Sequence, residues 1–355
     1  MKPLLKSFRI FLWPFAFLYR TGVAIRNFCY DKNIFKTSRF GLPIICVGNL
    51  SVGGTGKSPM VEYLVQLLQP EYQLATLSRG YKRRTQGYAL ANDNSTALDI
   101  GDEPMQFHVK FPEMAVAVGE KRVEAIPQLL HDKPDTDVII LDDAYQHRAI
   151  QAGLNILLTD YQNLFTRDYY LPYGKLRDLK SGYKRADIIV VTKCEKELSA
   201  ENKQAVTNEL QVLSHQKIFF TSIDYGQLYH IISKETIKIT PATHIMLITG
   251  IANANPLQAM FLKHTKHFRI MKFTDHHIYR IDDFQKIKKT FEAIEAKDKI
   301  IITTEKDAVR FIKFKNEIGD LPMYVLPMQH QFLFGEVKAF QDLVTKYVAN
   351  HLKKN

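Results

Sequence analysis

The 355-residue chain has little cysteine and less tryptophan: Cys29, Cys46 and Cys194 are its thiols and Trp13 its one indole. The thiol count is odd, the spacings are wide and no Cys-x-x-Cys pair occurs. That excludes a disulfide framework and a cysteine-built zinc site, and points to a reducing compartment. A spanning helix takes about 20 apolar residues. The apolar run Ile10–Tyr19 is half that length, between Arg9 and Arg20. No small-x-small cleavage site follows it, so it does not read as a secretory signal. There is no internal repeat and no low-complexity tract. Apolar residues make up 46% and charged residues 24%, the balance of an ordinary globular protein of about two domains.

Charge is unevenly placed. The net charge is +11, and residues 1–40 carry eight basic side chains against Asp31 alone. Basic and aromatic residues interleave there, as in segments that lie in a membrane interface with rings in the acyl boundary and cations at anionic headgroups. If the segment is helical, Lys2, Lys6, Arg9, Arg20 and Asn27 share an arc of about 60°, and Pro14 should kink it. Residues 1–35 are therefore expected to form a membrane-interfacial helical segment.

Beyond it, short β-rich runs alternate with helical patterns. The runs Pro43–Val47, Leu74–Ser78, Asp137–Asp142, Asn155–Thr159, Asp187–Thr192 and Ile218–Ile223 surround helical patterns such as 58–69, 103–111, 119–131 and 200–214. This predicts an α/β fold, a mostly parallel sheet with helices on both faces. A β-hairpin-like linker is expected over 226–241 and a smaller α/β domain over 242–355, leaving 36–225 as the main domain.

The stretch Gly48-Asn49-Leu50-Ser51-Val52-Gly53-Gly54-Thr55-Gly56-Lys57-Ser58 follows a β-run and opens a helix. That is the context of a phosphate-binding loop, although Ser51 stands where the strict pattern has glycine. Gly53, Gly54 and Gly56 allow a tight turn of backbone N–H groups around a polyphosphate, with Ser51, Val52 and Thr55 completing the loop. Lys57 is expected to neutralise the β- and γ-phosphates and Ser58 to ligate Mg²⁺. Val138–Asp143 is an apolar strand ending in two carboxylates, as in a Walker B strand, with Asp142 or Asp143 at the metal. Gln146 stands three residues after Asp143, and Thr192-Lys193-Cys194-Glu195 lacks the asparagine and aspartate that read guanine, so GTP is disfavoured. Val52 stands where partitioning ATPases carry lysine. ATP phosphotransfer remains. Basic loops at Arg79-Gly80-Tyr81-Lys82-Arg83-Arg84 and Lys175-Leu176-Arg177 could hold an anionic acceptor. Asp102 and the pair His276-His277 could do acid–base work.

In their order, these motifs resemble the tetraacyldisaccharide 4′-kinases of lipid A biosynthesis. The resemblance runs from the basic N-terminus through Gly53-Gly54-Thr55-Gly56-Lys57-Ser58, Ser78-Arg79-Gly80-Tyr81, Gly101-Asp102-Glu103-Pro104, Asp142-Asp143, Gln146-His147, Leu176-Arg177 and Asp275-His276-His277 to Thr303–Val309. Asp178 departs from the glutamate usual there. The resemblance implies a P-loop kinase at the cytoplasmic face of a Gram-negative inner membrane. It would use ATP and Mg²⁺ to phosphorylate the 4′-hydroxyl of a tetraacyldisaccharide 1-phosphate, giving lipid IVA. Lys57 and Ser51–Ser58 would hold ATP, and Ser58 and Asp142 the metal, with Asp143 in support. Asp102 and His276 would take the hydroxyl proton, and Arg79, Tyr81, Lys82, Gln146 and Arg177 would meet the headgroup. An anionic membrane surface is the expected partner, with no nucleic acid and no obligate protein. The competing reading is a membrane-associated P-loop ATPase that regulates a partner protein.

Overall fold

The computed structural model describes residues 11–251, 254–275, 277–319 and 321–353. Lys2, Lys6, Arg9 and His276 lie outside them.

Nine strands form the main sheet. In spatial order they are β15 (Met328–Phe332), β8 (Lys217–Tyr225), β7 (Ile188–Thr192), β6 (Leu154–Asp160), β1 (Ile44–Asn49), β5 (Val138–Asp142), β2 (Leu74–Ser78), β4 (Ala115–Val118) and β3 (Ala89–Leu90). The seven strands from β8 to β4 are parallel, and β15 and β3 close the two edges antiparallel. Alternate residues of the buried strands face opposite ways, so each strand serves two cores. Ile45 and Val47 pack under α2 (Lys57–Leu68), α3 (Asp102–Lys110) and α9 (Val337–Leu352). Ile44 and Cys46 face α4 (Arg122–Asp132) and α5 (Ala200–Leu210).

A second sheet has the order β10 (Thr236–Ile237), β9 (Leu228–His230), β14 (Met323–Leu326), β13 (Lys299–Thr304), β11 (His244–Thr249), β12 (Phe268–Lys272). Its faces are covered by α6 (Asn255–Phe261) on one side and by α7 (Ile281–Glu292) and α8 (Glu305–Phe311) on the other. The fold is thus α/β, with a mostly parallel main sheet, helices on both faces and a smaller α/β unit.

The sheets do not follow the sequence-drawn bounds. The β9–β10 hairpin, expected as a linker over 226–241, is the edge of the second sheet. Residues after Pro327, expected in the second unit, return to the main one: β15 pairs with β8, and Phe340, Val344 and Val348 of α9 enter the main core. Two chain passages therefore join the sheets, and they touch where the Gly226 N–H donates to the Pro327 carbonyl at 3.0 Å. A Cβ on Gly226 would sit 2.9 Å from the proline ring, so glycine is required there.

Helix α1 (Trp13–Asp31) starts beside Pro14, so the proline opens the helix rather than kinking it. Ala16, Val23 and Asn27 face inward. Asn27, expected on the basic arc, instead donates to the buried Asp178 carboxylate at 2.7 Å. Tyr19 donates to the Arg177 carbonyl at 3.0 Å, and Arg148 pairs with Asp31 at 2.6 Å. The outward face keeps Trp13, Phe15, Phe17, Leu18, Ile25 and Phe28 more than half exposed. No described helix is long and apolar enough to cross a membrane.

Candidate phosphoryl-transfer site

Parallel strands end together, so the loops that follow them share one rim of the sheet. Val47 of β1 lies in register with Asp142 of β5, and Leu77 of β2 with Leu141. The glycine loop, the two carboxylates and the Arg79–Arg84 loop therefore converge.

The glycine loop leaves β1 and enters α2 through Gly56, whose φ of +84° is left-handed; Gly53 has φ +114°. Among the described residues, chain neighbours aside, no atom lies within 4 Å of a Cβ placed on Gly53 or Gly54, so the space beside them is open. Its outer side is held on several fronts. Val52 donates to the Lys175 carbonyl at 2.8 Å, Asn49 to the Thr55 hydroxyl at 2.8 Å, and Thr192 to the Thr55 carbonyl at 2.9 Å. Lys193 donates to the Gly54 carbonyl. Ser51 bridges to Leu176 in a short antiparallel contact. Ser58 is half-buried in the first turn of α2.

The two carboxylates have opposite environments. Burial and the neighbouring Asp143 charge push the Asp142 carboxyl up to about 7. Its Oδ2 accepts from Ser78 at 3.4 Å, and its buried Oδ1 has no hydrogen-bond partner among the described residues. Burial alone would raise Asp143 too, but Lys57 and Arg177 outweigh it and bring its carboxyl to about 2. Lys57 lies 3.7 Å from Asp143, and Arg177 donates to it at 3.1 Å. Asp143 has φ +49°, a left-handed conformation, and its carboxylate meets Lys57 at the end of the loop. One carboxylate is thus satisfied by cations, while the other keeps an unpartnered oxygen.

Gly80, with φ +72°, packs on Gly101, where a Cβ would lie 3.2 Å from the Gly80 backbone. This contact brings the Arg79–Arg84 loop against the start of α3. Tyr81, Lys82 and Asp102 consequently line one cavity of about 340 Å³ together with His277 and Arg310 of the second unit. Arg79 is exposed nearby. Gln146 donates to the Asn49 carbonyl at 2.7 Å, bracing the start of the glycine loop. His277 shares a hydrogen bond with Asp283 at 2.9 Å. Asp102 is gripped by Arg310 through two hydrogen bonds of 2.8 and 2.6 Å.

Two rim residues were missed in the sequence. Arg122, at the start of α4, is buried with its Nε unpartnered among the described residues. His330, on the returning strand β15, lies against Gly56. A glycine-ended β-run precedes Arg122 at Ala115–Gly119 and could have flagged it. Nothing local marks His330.

A glycine loop opening a helix, a lysine at its end and paired carboxylates at the next strand's tip define a P-loop phosphotransferase. Comparison with known proteins sharpens that class. The profile of the tetraacyldisaccharide-1-phosphate 4′-kinases, LpxK, matches residues 8–349. A tetraacyldisaccharide 4′-kinase of Parabacteroides distasonis is 42% identical over 98% of this chain and 97% of its own. One of Flavobacterium johnsoniae is 43% identical over 97% and 98%. A crystal structure of LpxK from Aquifex aeolicus, described as an "apo" form in complex with ATP, superposes with a TM-score of 0.75 at 27% identity, covering 96% of this chain and 99% of that one. This chain belongs to the tetraacyldisaccharide-1-phosphate 4′-kinase family.

Proposed function

We propose that the protein transfers the γ-phosphoryl group of ATP to the 4′-hydroxyl of a tetraacyldisaccharide 1-phosphate, forming lipid IVA. The carrying observation is the convergence of Lys57, Asp142 and Asp143 at the rim where the glycine loop opens α2. The family relationship supports the acceptor, and no observation favours the partner-regulating ATPase.

The backbone of Ser51–Gly56 is read as the cradle for the phosphates, closed by Lys57. The site fits Mg²⁺: the buried, partnerless Asp142 Oδ1 and the Ser58 hydroxyl are hard oxygen donors of the kind that ion takes. Mg²⁺ bound there would neutralise charge on the β- and γ-phosphates. Asp143 holds Lys57 and Arg177 in place. The acceptor hydroxyl gives its proton to Asp102 acting with His276, its oxygen bonds to the γ-phosphorus, and the bond to the bridging oxygen of ADP breaks. Such general-base assistance contributes about 10²–10⁴-fold. Arg79, Tyr81, Lys82 and Arg177 are assigned to the anionic headgroup, with Gln146 supporting the loop. The exposed aromatic face of α1 beside Arg177 and Asp178 is assigned to the membrane surface that holds the acceptor, on the cytoplasmic side where ATP is found.

Phosphoryl transfer from γ-labelled ATP in mixed micelles tests this. Mg²⁺-dependent label on the acylated disaccharide, and none on a deacylated control, is expected. Label released only as free phosphate would transfer support to the ATPase reading.

A further inference from the structure

Helices α3 and α8 come from different sheets and run side by side, with acidic residues in the first turn of each and basic ones in the last. Opposite ends meet. Asp102 pairs with Arg310, Glu103 with Lys306 at 3.2 Å, and Lys110 with Glu305 at 2.6 Å. We propose that Arg310 is a positioning residue of the phosphoryl-transfer reaction: from the second unit it grips the Asp102 carboxylate of the first, so that the proton acceptor is competent only while the two units are clasped. This rests on the assignment of Asp102 to proton transfer.

The grip is two-pronged. Arg310 Nε donates to Asp102 Oδ1 at 2.8 Å and Nη2 to Oδ2 at 2.6 Å, the fork geometry that fixes a carboxylate's plane as well as its charge. Arg310 is itself anchored, since its Nη1 donates to Asp307 at 3.2 Å. Asp307 is fully buried and accepts from the Gly250 N–H and from the Thr249, Thr304 and Tyr279 hydroxyls. The guanidinium is therefore aimed by the second unit's own core. Burial works against its charge, but Asp102 and Asp307 outweigh that and raise its pKa. Around Asp102, Lys82, Tyr81 and His277 line the adjoining cavity, and Glu103 is offset by Lys306. The side chains of Arg310 and Asp102 are 6% and 12% exposed, so water screens the pair weakly. A permanent cation so placed keeps Asp102 ionised and oriented, as a base or its carboxylate support requires.

The test uses the full-length enzyme in mixed micelles, with kcat and both KM values followed across the acid and neutral range. The variants are Arg310→Gln, Arg310→Lys, Lys110→Gln and Asp102→Asn. Arg310→Gln should lower kcat by about 10–10²-fold, leave KM for ATP within about twofold, and move the acid limb of the profile about one unit to higher pH. Arg310→Lys keeps the charge, so the acid limb should stay while part of kcat is lost. Lys110→Gln loosens the clasp at its other end and should lower the melting temperature without moving the limb. A superimposable Arg310→Gln profile, or an equal shift in Lys110→Gln, overturns the proposal. Should Arg310→Gln fail to fold, an unchanged kcat in Arg310→Lys overturns it. Full activity in Asp102→Asn would instead overturn the assignment of Asp102, and the proposal with it.

Discussion

His330 Nε2 donates to the backbone oxygen of Gly56 at 2.8 Å, while its Nδ1 accepts from the Thr221 hydroxyl at 2.9 Å. A carbonyl can only accept, so this bond assigns the tautomer. A residue from the last strand thereby pins the turn into the P-loop helix, 274 positions earlier in the chain. A Cβ on Gly56 would meet the ring at 3.0 Å.

Replacing His330 with alanine removes that pin and opens a buried gap. We expect KM for ATP to rise about tenfold, with a loss of about 2–4 kcal/mol in unfolding free energy. Nucleotide titration and thermal unfolding check both. An unchanged KM for ATP would show that the loop keeps its shape unaided.

The same histidine makes the fold acid-sensitive. Burial holds its pKa at about 4, below the usual 6.5, so the folded state binds the proton less readily than the unfolded chain. Its stabilising contribution is complete above pH 6.5 and is lost as pH falls through 4. Denaturant melts of the wild type and His330→Gln should converge on acidification; parallel curves would exclude His330 as the cause.

Glu62 sits at the other end of the ion-pair cluster that joins α2, α3 and α8. Burial and the nearby Glu305 raise its carboxyl to about 7 from 4.5, despite Lys110. Here the folded state binds the proton more tightly, so the favourable contribution is complete below pH 4.5 and disappears as pH rises through 7. Glu62→Gln keeps an acceptor for Gln106 and carries no charge. It should be more stable than the wild type by about 1–3 kcal/mol at mildly alkaline pH and equal to it in acid. A variant less stable at alkaline pH would mean that the Lys110 attraction dominates.

Lys57, paired with Asp143 at 3.7 Å, is the loop cation proposed to meet charge on the transferred group. Lys57→Met should lower kcat by about 10²–10³-fold, the usual consequence of removing one electrostatic contact to a transition state. Steady-state kinetics on the acylated acceptor decide it. Loss confined to KM for ATP would assign Lys57 to binding alone.

The membrane contact proposed for the outward face of α1 can be tested apart from nucleotide binding. Replacing Phe17 and Leu18, both more than half exposed, with serine should weaken sedimentation with anionic vesicles and raise KM for the lipid acceptor. KM for ATP should not change. Undiminished vesicle binding would place the membrane contact elsewhere.

Two kinds of information were divided between sequence and structure. The β-runs, the glycine loop, the strand-end carboxylates and the sequential order of the motifs were legible in the chain, because each depends on residues within one turn or one strand. The sequence alone therefore determined the α/β class, the loop at 51–58, Asp142 and Asp143, and the family. It could not place what depends on distant segments meeting. That β15 and α9 return to the first sheet was decided by the apolar face left open beside β8 and α2, which Phe340, Val344 and Val348 fill. That Asn27 turns inward was decided by the buried Asp178 carboxylate, which needs a donor. That Asp142 Oδ1 has no hydrogen-bond partner among the described residues while Asp143 is paired was decided by Lys57 and Arg177, whose ion pair and hydrogen bond go to Asp143. The grip of Arg310 on Asp102, 208 residues apart, was decided by two helices whose terminal charges match only when the sheets are in contact. Short-range periodicity records local backbone preference and says little about which buried charge meets which; that pairing is a property of the assembled core.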